Sequence, residues 1–259
     1  MKKIIFFDLD NTIHSTKMQI IPSQTKKLIK ELASIDNVYL GLATGRGPSK
    51  IKMLEEFIEY FTYKVFINGS IAYKNDELIY KNPLKITDIE AVIKSAETKN
   101  ISVGMVSEKG EYLTFINNEV DMNIKNFQND MPKIDPKAYL HTDVYQLWLF
   151  QNDQEKIKQI TLKHQNLRCY PWHNGGADLV DPNTNKAFAI EKLLKDETNY
   201  QLITVGDGQN DVKMIEMADI GIAMANSRFD ELKEKADLIA PNIDEDQLYD
   251  FFKKNKIII

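Results

Sequence analysis

Over the first 80 residues, short apolar runs alternate with segments whose apolar residues recur at helical spacing. Lys3 to Phe7 is a β-rich run that stops at the polar cluster Asp8-Leu9-Asp10-Asn11-Thr12. From Pro22 to Ala33, Leu28, Ile29 and Leu32 continue a helical face begun by Ile21, and Pro22 sits in a first turn where no N–H is needed. Val38 to Ala43 reads as a second buried strand, ended by Thr44-Gly45-Arg46-Gly47. The spacing then predicts a helix over Ser49 to Tyr60 and a short strand over Lys64 to Ile67. Alternation of strand and helix without tight hairpins predicts right-handed βαβ units and a parallel sheet.

The pattern then changes. Ile71 to Tyr80 reads as a hairpin about Lys74-Asn75-Asp76, and Asn82-Pro83 as a hinge. A helix (Thr87 to Thr98) and two strands (Ile101 to Val106, Tyr112 to Phe115) follow, turned by Glu108-Lys109-Gly110. Asn117 to His141 is polar and weakly patterned. Beyond it come a strand (Val144 to Phe150), a helix (Asp153 to His164) and two more strands (Leu167 to Trp172, Ala177 to Val180), turned by Asn174-Gly175-Gly176. Helix–strand–strand repeated in this way predicts a segregated α+β module. From Asp181-Pro182 the first pattern resumes: helix Lys186 to Lys195, strand Leu202 to Val205, helix Asp211 to Ala218, strand Ile220 to Ala223, and helices Arg228 to Ala236 and Glu245 to Phe252. The expected fold is α/β, a Rossmann-like parallel-sheet core over 1–82 and 182–259 with an α+β module inserted over 83–181.

The chain's 259 residues suit one domain carrying a large insertion, and 43% apolar with 27% charged residues excludes a disordered chain. A net charge of −5 argues against a nucleic-acid footprint. Cys169 is the single cysteine, which excludes disulfide frameworks and thiolate metal clusters within one chain. The apolar run at the N-terminus stops at Asp8, too short for a secretory signal, and no stretch approaches the roughly 18 apolar residues of a membrane span. A cytoplasmic protein without an obligate protein partner is expected.

Ligands of parallel α/β sheets bind at the carboxyl ends of strands. Polar clusters follow three strands here: Asp8 and Asp10 after the first, Thr44 after the second, and Asp207 after the late one. Any one of them reads equally well as a helix cap or turn. Together they leave too many carboxylates for that reading. If the strands are adjacent, Asp8, Asp10, Asp207 and Asp211 converge with little basic charge nearby and repel one another unless a cation is bound. Oxygen ligands without Cys or His suit Mg²⁺. Asp207, Asn210 and Asp211 stand at i, i+3 and i+4, pointing the same way as a helix begins. Lys186 falls in the first turn of a helix, where the macrodipole disfavours a cation, so a buried anionic partner is expected.

These residues carry a resemblance. Phe6 to Thr12, Leu42 to Arg46, Asn185-Lys186 and Val205 to Asp211 resemble, in order, the four motifs of the haloacid dehalogenase superfamily. The continuation Met214 to Asn226 is similar to Cof-type phosphatases with a type IIB cap, and the insertion to that cap. Asn11 and Ala225 stand where relatives commonly have Gly. The resemblance implies that Asp8 is a nucleophile forming an aspartyl phosphate, and that Asp10 is general acid and then base. It implies Mg²⁺ held by the Asp8 and Asp207 carboxylates and the Asp10 carbonyl, with Thr44 and Lys186 holding phosphoryl oxygens. Gly45, Arg46, Asn68 and Asn210 would contact phosphate or substrate, and Asp211 would orient Lys186 or a metal-bound water. His173, Asn174 and Asp178 in the last hairpin of the insertion would contact the rest of the substrate, a small phosphorylated metabolite with sugar phosphates the leading class. Two other readings compete: phosphomannomutase-like transfer between sugar hydroxyls, which needs a second phosphate clamp where the insertion has only Arg168, and a non-enzymatic receiver-like phospho-Asp domain, which predicts a chain about half as long.

Overall fold

The computed structural model describes residues 1–126, 131–172 and 175–258. The chain folds into two units: Met1–Arg46 with Ile51–Lys81 and Asn185–Ile259, and Gly47–Lys50 with Asn82–Thr184. The first is built around β1 (Lys2–Phe7), whose residues Ile4, Ile5, Phe6 and Phe7 are almost fully buried. A strand apolar on both faces has to be covered on both. Helix α1 (Ser23–Ser34), which turns Leu28, Ile29 and Leu32 inward, packs with α8 (Leu248–Lys254), and Phe252 of α8 stacks on Phe7. Ile4 and Phe6 instead meet Ala189, Ile190 and Leu193 of α5 (Lys186–Leu194) and Met214 of α6 (Val212–Met217).

The eight-stranded sheet runs β14 (Leu238–Ala240), β13 (Ile220–Met224), β12 (Tyr200–Gly206), β1, β2 (Val38–Ala43), β3 (Phe61–Phe66), β4 (Ile71–Lys74), β5 (Glu77–Lys81). Its strands are parallel from β14 to β3, and β4 and β5 close the edge antiparallel. Asn75 and Asp76, both at positive φ, make the two-residue hairpin turn between these last two.

The second unit holds a six-stranded sheet in the order β10 (Arg168–Pro171), β11 (Gly176–Val180), β9 (Gln146–Phe150), β6 (Ser102–Ser107), β7 (Gly110–Leu113), β8 (Lys133–Ile134). Helices α2 (Ile86–Glu97) and α4 (Gln154–Thr161) bury Ile89, Val92, Ile157 and Ile160 with Val103, Leu147, Leu149 and Leu179. A separate cluster joins Val120 and Ile124 of α3 (Asn118–Asn126) to Leu113 and Phe150, with Trp148 and Trp172 packed against it.

Three sequence expectations need correction. Ser49 to Tyr60 is not one helix but three short 3₁₀ turns, Pro48–Lys50, Lys52–Leu54 and Ile58–Tyr60. Only Leu54 and Phe57 turn fully inward there, and their i, i+3 spacing suits 3₁₀ geometry as well as α. The weakly patterned stretch contains α3, whose Val120 N–H is capped by the Asn117 carboxamide oxygen, together with the two-residue β8. Finally β14, three residues long, was not foreseen between α7 (Asp230–Lys235) and α8.

Candidate active site

Parallel register decides which loops meet. Phe7 lies opposite Leu42 of β2 and Val205 of β12, so Asp8, Thr44 and Asp207 leave three adjacent strands at the same end. The Asp8 amide still donates to the Val205 carbonyl at 2.9 Å and the Thr44 amide to Val65 at 2.9 Å, which fixes where each side chain begins.

Lys186 opens α5, with Asn185 as N-cap accepting from the Phe188 amide at 2.9 Å. Its side chain is fully buried, and its Nζ donates to Asp8 Oδ1 and Asp211 Oδ1, each at 2.6 Å. Asp211 is itself fixed, because its Oδ2 accepts from the amides of Asp207 (3.1 Å) and Gly208 (2.8 Å). The helix expected from Asp211 begins one residue later, at Val212, and is entered through a 3₁₀ turn. Gln209–Asp211 is a 3₁₀ turn and α6 starts after it, so Asp211 folds back over the turn while Asn210 reaches Asn68, donating to its Oδ1 at 2.8 Å. Gly206 leaves the space: a Cβ there would lie 2.6 Å from the Asp211 carboxyl carbon.

Carboxylate oxygens of Asp8, Asp207 and Asp211 lie within 4.8 Å of one another. Burial, and then the neighbouring negative charges, push Asp8 and Asp207 well above the usual carboxylate range. Lys186 answers only part of this charge, and the two carboxylates raise its own pKa. An all-oxygen donor set under mutual repulsion fits a hard divalent cation. Asp211 accepts hydrogen bonds at both oxygens, from Lys186 at Oδ1 and from the Asp207 and Gly208 amides at Oδ2, and so holds Lys186 in place.

Asp10 is in a different state. Arg46 grips its carboxylate with Nε on Oδ2 (2.7 Å) and Nη2 on Oδ1 (2.8 Å), and His14 Nδ1 lies 3.4 Å from Oδ1. Burial alone would raise the pKa of Asp10, but His14 and Arg46 hold it down at about 2. The guanidinium of Arg46, expected at the phosphate, therefore sits on Asp10. His14 was not anticipated, since a histidine four residues on gives no sign that the loop folds back on itself. Asn11 has φ 58°, a left-handed conformation that Gly adopts freely and Asn tolerates. The Asn11 carbonyl accepts from Asn226 Nδ2 at 2.9 Å.

Thr44 is buried, and its Oγ1 accepts from the Arg46 amide at 3.1 Å. Gly45 lies beneath Asn68, whose Oδ1 would be 3.0 Å from a Cβ at that position. Ile67, Asn68 and Gly69 all have positive φ, and Gly69 passes the Asn185 carbonyl so closely that a Cβ would lie 2.3 Å from it. In the second unit, Asp178 on β11 accepts from Trp172 Nε1 at 2.8 Å, and burial raises its pKa to about 7. His173 and Asn174 lie outside the described residues.

A family model described as haloacid dehalogenase-like hydrolase matches residues 5–252. The chain belongs to that family. Among its relatives is a Bacillus subtilis (strain 168) protein named "Putative phosphatase YkrA", 30% identical with 94% of each chain covered. Another from that organism, 5-amino-6-(5-phospho-D-ribitylamino)uracil phosphatase YcsE, is 26% identical, covering 94% of this chain and 92% of its own. A solved sugar phosphatase of haloacid dehalogenase subclass IIB matches with TM-score 0.87 at 25% identity, covering 99% of this chain and 100% of that one. The inserted α+β unit fits the type IIB fold, and this haloacid dehalogenase-like hydrolase is an enzyme among phosphatases, as the motifs implied. Among the described residues no helix is long and apolar enough to cross a membrane.

Proposed function

We propose that this enzyme hydrolyses phosphomonoesters of small metabolites, sugar phosphates foremost, through a phosphorylated Asp8. The observation that carries this reading is the Asp8–Lys186–Asp211 chain, which aims a buried carboxylate from the end of β1 and holds an ammonium against it. Asp8 attacks phosphorus and the bond to the leaving oxygen breaks. Asp10 gives that oxygen a proton, then takes one from the water that hydrolyses the aspartyl phosphate. The Arg46 grip leaves Asp10 ionised, the state required of a base, so its acid role requires Arg46 to let go. Lys186 Nζ, the Thr44 hydroxyl and the Asn210 carboxamide hold the phosphoryl oxygens. Asp8, Asp207 and the Asp10 carbonyl would hold Mg²⁺, which neutralises carboxylate and phosphoryl charge when bound. The subclass IIB sugar phosphatase named above supports the substrate class.

Acid quenching of wild-type enzyme turning over a ³²P-labelled sugar phosphate with Mg²⁺ should trap an acid-stable, hydroxylamine-sensitive phosphoenzyme. Asp8→Asn should trap none. Label retained by Asp8→Asn at wild-type stoichiometry would remove Asp8 as the nucleophile. Chelation should abolish phosphate release and added Mg²⁺ restore it; undiminished turnover in metal-free enzyme would remove the metal assignment.

A further inference from the structure

Within the second unit, a cleft of about 240 Å³ opens beside the parallel pair β7–β8, where Tyr112 lies opposite Lys133. Its lining includes Lys50, Lys109 and Lys133, with Glu111 as the acidic residue among the described ones. Glu111 is almost fully buried and pairs with Lys50 at 3.1 Å, so those two charges offset each other. Among the described residues, Lys109 and Lys133 pair with no carboxylate. Among the described residues the cleft therefore carries an excess of two positive charges, in a chain of net charge −5. Ammonium groups scattered over a convex surface are solvated separately, whereas those lining one concavity repel each other and concentrate their field within it. Ser49 and Tyr112 belong to the same lining.

We propose that this cleft binds a dianionic phosphoryl group borne by a small molecule. Two uncompensated ammonium groups match the charge of a phosphate dianion, hydroxyls and ammoniums are its natural donors, and the volume leaves room for the carbon skeleton attached to it. The inference does not rest on the catalytic reading above. The phosphoryl group is either a second phosphate of the substrate or belongs to a separate ligand, and the experiment tells these apart.

Inorganic phosphate, at a pH where it is a dianion and with Mg²⁺ omitted, serves as probe in an amide NMR titration of the full chain. The amides of Lys109, Gly110 and Lys133 should shift along one saturable isotherm, which equal ionic strength of chloride does not reproduce. Lys109→Gln/Lys133→Gln should weaken that isotherm at least about tenfold, and Glu111→Gln, which removes a negative charge from the lining, should tighten it about threefold. The amides of Thr44 and Asn210 report on the catalytic site in the same spectra, so failure at one place is distinguishable from failure at the other. No saturable shift at the cleft, a shift that survives in the double variant, or an equal response to chloride (an adventitious ion only) overturns the proposal. Steady-state kinetics then identify the source. A rise in KM confined to a sugar bisphosphate in the double variant, with sugar monophosphate turnover unchanged, assigns the group to the substrate. Loss of phosphate binding with both substrates unaffected assigns it to a separate ligand.

Discussion

At the scale of single residues, the site separates two aspartates two positions apart by what touches them. Asp8 faces a buried ammonium and other carboxylates, while Asp10 is gripped by Arg46. The roles should separate in the same way. Asp10→Asn keeps the nucleophile but loses the proton donor and the base. A p-nitrophenolate leaving group, with a pKa of about 7, departs without a proton, so rapid mixing with p-nitrophenyl phosphate should give a burst followed by near arrest. A sugar phosphate should give no burst, because an alkoxide needs that proton. Equal steady turnover of both substrates, with Mg²⁺ affinity verified in the variant, would remove Asp10 from acid–base work. Asp211→Asn tests the positioning of Lys186. An amide cannot both face the ammonium and accept from the amides of Asp207 and Gly208 without setting donor against donor. We expect kcat to fall by about 10²–10³, with a smaller change in KM; a kcat within a few-fold of wild type would show that Lys186 does not depend on Asp211. Much of this constellation was legible, because Asp8, Thr44, Lys186 and Asp207 each follow or begin an element with a clear hydrophobic signature. The Arg46–Asp10 grip was not, since it joins residues 36 positions apart through side-chain reach, which no local pattern encodes.

At the scale of elements, the long ones were readable and the short ones were not. β1, β2, α1, α2 and α5 each carry enough buried positions for their period to show. The 3₁₀ turns over 48–60 bury few side chains, β8 has two residues and β14 three, so neither period completes a cycle. α3 has a single i, i+4 apolar pair, Val120 and Ile124, set in polar sequence. One junction between elements decides the geometry of the site. The turn after β3 winds through three positive-φ residues and brings Gly69 against the Asn185 carbonyl, at the start of the helix that carries Lys186. Gly69→Ala meets an unfavourable φ of 101° and a backbone atom that cannot swing away. A cost of about 2–4 kcal/mol is expected, lowering Tm by roughly 5–15 °C. Because relief requires α5 to shift, kcat should fall even at temperatures where the variant is folded. A Tm within about 1 °C of wild type would show that the turn yields without cost.

At the scale of the whole molecule, the residues that hold the core sheet together at the start of β1 lie far from the chemistry at its end. Glu197, in the connection between α5 and β12, accepts from Lys2 of β1 (2.8 Å), Tyr63 of β3 (2.8 Å) and Lys74 of β4 (2.7 Å). One carboxylate thus joins chain segments up to 195 residues apart, none of which shows in its own sequence that it has a partner. Hydrogen bonds from Lys2 and Lys74 outweigh burial and lower the pKa of Glu197 from 4.5 to about 2. A carboxylate whose pKa is lower in the folded than in the unfolded state contributes stability above the unfolded value and loses it as pH falls toward the folded one. The contribution is therefore complete at neutral pH and declines from about pH 4.5 toward pH 2. Glu197→Gln keeps the shape but replaces one acceptor oxygen with a donor and removes the charge that three donors share. Urea unfolding at pH 7 should show the variant less stable by about 2 kcal/mol. Near pH 3.5 the gap should narrow by about 1 kcal/mol, because the wild type loses its advantage as the unfolded chain takes up the proton. Turnover per folded molecule at neutral pH should be unchanged, since the network sits at the opposite end of β1 from Asp8. A gap that stays constant from pH 7 to pH 3.5 would mean that Glu197 acts through packing and not through its charge.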